Sequence, residues 1–62
     1  MEEIPLEQVH SFAPLVILDK AGEMISEHES TPEAVQALAR HARLSYEGPA
    51  IYRKGKQAWV KY

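Results

Sequence analysis

The chain ends Ala50-Ile51-Tyr52-Arg53-Lys54-Gly55-Lys56-Gln57-Ala58-Trp59-Val60-Lys61-Tyr62. This stretch holds the residue types best suited to chemistry with a partner. The cations Arg53, Lys54 and Lys56 can pair with phosphates or carboxylates. The aromatic rings of Tyr52 and Trp59 can stack on bases or fill a pocket in another protein. Arg40 and Arg43, upstream, are candidate neighbours of this basic aromatic set. Catalysis has less to work with. There is no cysteine, hence no thiolate nucleophile, no metal thiolate and no disulfide. Ser11, Ser26, Ser30 and Ser45 stand in no Gly-x-Ser-x-Gly frame. His10, His28 and His41 are far apart and lack metal-ligand spacing. His28, between Glu27 and Glu29, reads as a solvated strand end, and His41 as partly exposed. No glycine-rich loop could cradle a phosphate. The expectation is a non-enzymatic chain with no cofactor and no metal.

The elements that must carry these residues follow from turn and cap chemistry. Leu15-Val16-Ile17-Leu18 is an apolar run, β-branched at its centre, and Met24 to Glu29 is a returning strand that becomes polar towards its end. Between them lies Asp19-Lys20-Ala21-Gly22. The Asp19 carboxylate can accept from backbone N–H groups just ahead, and Gly22 can take the left-handed conformation that such loops need. Residues 14–29 therefore form a hairpin. Ser30-Thr31-Pro32-Glu33 starts a helix. Thr31 as N-cap puts Pro32 at the first helical position, and Ser30 as N-cap makes a capping box with Glu33. The helix spans 31–47 and ends at Gly48-Pro49. Its expected inner face is Val35, Leu38, Ala39, Ala42 and Tyr46, with Ala34 at the edge. Gln36, Arg40, Arg43 and Glu47 face out. Residues 49–62 form a second hairpin around Lys54-Gly55. A two-residue turn there sets Arg53 opposite Lys56, and a three-residue turn with Gly55 left-handed pairs Tyr52 with Lys56. Residues 1–13 are an N-terminal arm or a short helix starting at Pro5.

The predicted fold is α+β, in the order ββαββ: an antiparallel sheet of about four strands with one amphipathic helix on one face. The second face of such a sheet is polar in a plain monomer. Here it is not. Leu15 and Ile17 alternate with Val16 and Leu18, Ile51 with Tyr52, and Ala58 and Val60 with Trp59. Something must cover that face. The choices are the N-terminal segment (Ile4, Leu6, Val9, Phe12), a second copy of the chain in a two-fold dimer, or a ligand for which Trp59 and Tyr52 form the platform.

Size and charge bound the rest. Sixty-two residues make one domain, which buries only about 60% of the surface of its unfolded chain. Composition is globular, with 45% hydrophobic and 26% charged residues, and excludes a disordered chain. The uncharged stretch Val9 to Leu18 is too short to cross a bilayer. Met-Glu-Glu lacks the basic and apolar regions of a signal peptide, so the expected location is the cytoplasm, away from membranes. Net charge is -2, divided unevenly. Residues 1–31 carry seven acids and Lys20, and residues 32–62 carry two acids and six bases. The basic half suits a nucleic-acid surface, although the pI near 5.8 is low for one. Two halves lying side by side would also neutralise each other.

The stretch LVILDKAGEMISEHESTPEAVQALA resembles many very short bacterial and phage proteins, in which such a hairpin leads into a capped helix. The resemblance transfers no functional residue. The expected function is a protein-interaction module that docks onto a larger protein as an accessory or inhibitory factor, through Tyr52, Arg53, Lys54, Lys56 and Trp59 with Arg40 and Arg43 nearby. The alternative is a nucleic-acid binder using the same hairpin. A homodimer is compatible with both.

Overall fold

The computed structural model describes residues 3–44 and 48–62, with the backbone alone for Ala42, Arg43 and Leu44. One helix packs against an antiparallel sheet, as the α+β expectation requires. The strands are β1 (Glu3–Pro5), β2 (Leu15–Leu18), β3 (Met24–His28), β4 (Ala50–Lys54) and β5 (Ala58–Lys61), and the helix α1 is Thr31–Leu44. The sheet therefore has five strands, one more than expected. The extra one is β1, which comes from the segment read as an arm or short helix. A single 3₁₀ turn, Leu6–Gln8, follows it. The strand order is β1-β5-β4-β2-β3. Ile4 pairs with Trp59, so the N-terminus closes one edge of the sheet and β3 forms the other.

The first hairpin forms as its turn chemistry dictates. Asp19 Oδ1 accepts from the N–H groups of Ala21 and Glu23, both at 2.9 Å. The Gly22 N–H donates to the Asp19 carbonyl at 2.9 Å, and Gly22 has φ +85°. An alanine there would be forced into the left-handed region. Gly22→Ala is expected to lower stability by about 1 kcal/mol, a drop of roughly 4–8 °C in Tm for a domain this small. Thermal melting by circular dichroism checks it, and an unchanged Tm would show that the turn relaxes freely. Pairing then runs Ile17↔Ser26 and Leu18↔Met24, which leaves Ile25 as the extra residue of a β-bulge.

The second hairpin turns further along the chain than either expected register. Lys54 pairs with Trp59, Arg53 with Val60 and Tyr52 with Lys61. The Gly55 N–H donates to the Ala58 carbonyl at 2.9 Å, so Lys56 and Gln57 form the tip. Gly55 is required by close approach rather than by positive φ, since a Cβ there would lie 2.7 Å from the Ala58 oxygen. The shift puts Trp59 beside β1 and Lys54 and keeps Arg53 away from Lys56.

The helix begins where expected, but its buried face is rotated. Ala34 N–H donates to the Ser30 carbonyl at 3.0 Å, so Ser30 occupies the N-cap position. The Glu33 carboxylate reaches the ring of His28. Ala34, Ala37 and Leu38 face the sheet, whereas Val35 is 51% exposed and Ala39 is exposed. The expected inner face centred on Val35 and Ala39 is thus corrected by about one residue. Small side chains let the helix axis approach Leu15, Ile17 and Ile51, and Val35 would hold it off. The remaining assignments, Ala42, Tyr46, Arg43 and Glu47, concern side chains outside the described residues.

Two apolar layers result, one on each side of the sheet. Leu15, Ile17 and Ile51 meet Ala34, Ala37 and Leu38 under the helix. Val16, Leu18 and Trp59 meet Val9 on the other side, with Ile4, Leu6 and Tyr52 at the margin. The cover of the second face is the chain's own N-terminal segment. Among the described residues no helix is long and apolar enough to cross a membrane.

Candidate functional site

Strand alternation divides the basic aromatic set. Tyr52, Lys54, Trp59 and Lys61 point to the second face, and Arg53 points to the helix side with Val60. Arg53, Lys54 and Lys56 are exposed, and Arg40 is exposed on the helix. Tyr52 is half-buried and borders a recess with Gln8, Lys20 and Lys61. Trp59 is fully buried. Its indole N–H donates to the Val9 carbonyl at 3.0 Å, so both the ring and its polar atom belong to the core. The set does not form one surface. Arg43 lies outside the described side chains.

The sheet instead positions a different feature. Residues 9–14 cross the second face as a strap, fixed at four points. Val9 is held by Trp59. The Ser11 carbonyl accepts from Lys54 Nζ at 2.8 Å. The Ser11 hydroxyl donates to the Glu27 carboxylate on β3, and also accepts from the Ala13 N–H at 3.1 Å. The Pro14 carbonyl accepts from the Lys54 N–H at 2.9 Å. The Val9 anchor is buried, and the two anchors at Ser11 to Lys54 and Glu27 are exposed. Lys54 Nζ also stands 5.6 Å from the Trp59 ring centroid and 6.0 Å from that of Phe12, within cation–π range.

Phe12 is the exception on this strap. As part of the N-terminal segment it was one of three candidate covers for the second face, but its accessibility is 103%. Pinning Ser11 and Ala13 inward leaves the residue between them pointing out. Beside it is an open groove of about 490 Å³, bordered by Leu6, Val9, His10, Ser11, Glu27 and Lys54.

A second constellation lies on the helix side. Ser26 and His28, two apart on β3, share a face. Ser26 Oγ is 2.8 Å from His28 Nε2 and 3.4 Å from Nε2 of His41 on the helix. His28 Nδ1 is 3.2 Å from Glu33 Oε1. The His28 side chain is only 12% exposed and that of Glu33 is 60% exposed. His28 is therefore not the solvated strand end that the sequence suggested. The i, i+2 spacing of Ser26 and His28 was visible in the sequence. The contributions of Glu33 and His41 depend on where the helix lands. Among the described residues no group of three or more His, Cys, Asp or Glu side chains is placed to hold a metal ion.

No family model, curated protein or solved structure matches this chain.

Proposed function

We propose that the chain is a small protein-interaction module that docks onto a larger protein, with Phe12 as the apolar anchor and Lys54 as the neighbouring cation. The observation that carries this reading is Phe12, fully exposed on a segment tied to the sheet on both sides of it. Single exposed apolar residues are ordinary. Phe12 differs because its backbone is fixed and a groove opens beside it. Burying a phenylalanine side chain contributes about 1.5–3 kcal/mol, and an anchor already in place loses little conformational entropy on binding. An accessory or inhibitory role suits a chain with one such protrusion. The Lys54 ammonium, already hydrogen-bonded to Ser11, has two further N–H groups for a carboxylate on the partner.

Affinity purification with the wild-type chain and the Phe12→Ala variant as parallel baits tests the reading. A protein retained by the first and lost from the second supports it. Identical recoveries from the two baits would refute it.

The nucleic-acid reading draws on Arg53, Lys54, Lys56 and Lys61, which lie within one hairpin. With Trp59 in the core, the hairpin lacks the aromatic platform on which bases would stack. Fluorescence titration with single- and double-stranded DNA and RNA is expected to leave the Trp59 emission unchanged at low and high salt. Quenching that weakens steeply with added salt would signal phosphate contacts and counterion release, and would favour this reading over docking.

A further inference from the structure

The hydrogen-bond order around Ser26 is fixed by one group that can only accept. The Glu33 carboxylate, 3.2 Å from His28 Nδ1, needs a proton on that nitrogen. In the neutral ring, His28 Nε2 is then a bare lone pair. The Ser26 hydroxyl, 2.8 Å away, donates to it. The Ser26 oxygen in turn can accept from His41 Nε2–H at 3.4 Å. The donors run His41, Ser26, His28, and the Glu33 carboxylate is the final acceptor. A hydroxyl donating to an imidazole whose other nitrogen is held by a carboxylate is the arrangement that activates a serine nucleophile.

The surroundings permit a reaction. Ser26 is partly exposed on the edge strand β3. We infer that Ser26 is a covalent acyl-acceptor site for activated esters or thioesters. The Oγ–acyl carbon bond forms as the hydroxyl proton passes to His28 Nε2. The bond from the acyl carbon to the leaving oxygen or sulfur then breaks, and His28 returns the proton to that atom. Acyl-serine and a free alcohol or thiol are the products. The reaction is stoichiometric and independent of docking through Phe12, which lies on the other side of the sheet.

The probe is p-nitrophenyl acetate, added to the full chain and followed by intact-mass spectrometry and peptide mapping. One acetyl group is expected on Ser26. His28→Ala should slow its appearance by about 100-fold, within the range for loss of a general base. Glu33→Gln should slow it by about tenfold, far less than the ~10⁴ for a buried triad carboxylate, because the Glu33 side chain is 60% exposed. Circular dichroism reports whether each variant is folded. If His28→Ala is unfolded, the exposed position Glu33 decides the matter. Acetylation confined to lysines or the N-terminus, or a Ser26 rate unaffected by Glu33→Gln, would overturn the assignment and leave the network as a tie between β3 and α1.

Discussion

Trp59→Ala is expected to leave the chain largely unfolded at 25 °C. Truncating a buried tryptophan costs about 3–5 kcal/mol through lost burial and the cavity left behind. Trp59 is wholly buried, and its N–H satisfies the Val9 carbonyl. Leaving that carbonyl without a partner adds about 1–3 kcal/mol. At about 0.05–0.15 kcal/mol per residue, a chain of 62 residues has a total of the same size to lose. Trp59 also packs with Val9, Val16 and Leu18, so its loss frees the strap and one whole layer. Urea unfolding followed by circular dichroism measures the effect. Trp59→Phe should fall between wild type and alanine, because it keeps most of the volume but not the N–H. A folded Trp59→Ala variant with an unchanged midpoint would show that the strap is not held by this residue.

Phe12→Ala should do the opposite: no change in folding and a large loss of binding. Its ring is fully exposed and contributes little to the core, so stability should fall by no more than about 1 kcal/mol. Among the described residues the interaction removed is the contact with Lys54 at 6.0 Å, and exposed cation–π pairs are worth about 0.5–1 kcal/mol. Against a partner that buries Phe12, the loss should reach about 2 kcal/mol, as for an interface hot spot. That is roughly a 30-fold rise in Kd at 1.4 kcal/mol per tenfold. Calorimetric titration with the partner recovered by the wild-type bait measures it. A variant that binds as tightly as wild type would remove Phe12 from the interface. The two variants together separate residues that hold the strap from residues the strap displays.

Local chemistry was the legible part of this protein. Asp19 and Gly22 specify the first turn through short-range hydrogen bonds and backbone freedom, and both act as the sequence indicates. The helix starts at Thr31, where Ser30 to Glu33 places it. The alternation Leu15–Leu18 announced a sheet apolar on both faces, and the need for a cover followed from it.

Several features depended on contacts distant in sequence. Phe12 and Val9 are similar apolar residues three positions apart. Their opposite fates follow from Trp59, Lys54 and Glu27, which lie 16 to 50 positions away in sequence and pin the strap. The rotation of the helix face came from the fit of Ala34 and Ala37 against Leu15, Ile17 and Ile51. The register of the second hairpin was open in the sequence because Lys-Gly-Lys-Gln allows several tight turns. Pairing of Trp59 with both Lys54 and Ile4 accompanies the observed one.

The sequence by itself therefore determined the two hairpins, the helix with its start, the first turn and the requirement that both sheet faces be covered, because each rests on interactions within a few residues. Only the tertiary structure decided that β1 joins the sheet, that Trp59 is core, that Phe12 is displayed and that Ser26, His28, Glu33 and His41 converge. Those outcomes depend on which distant surfaces meet, and side-chain burial is settled by that competition rather than by residue type.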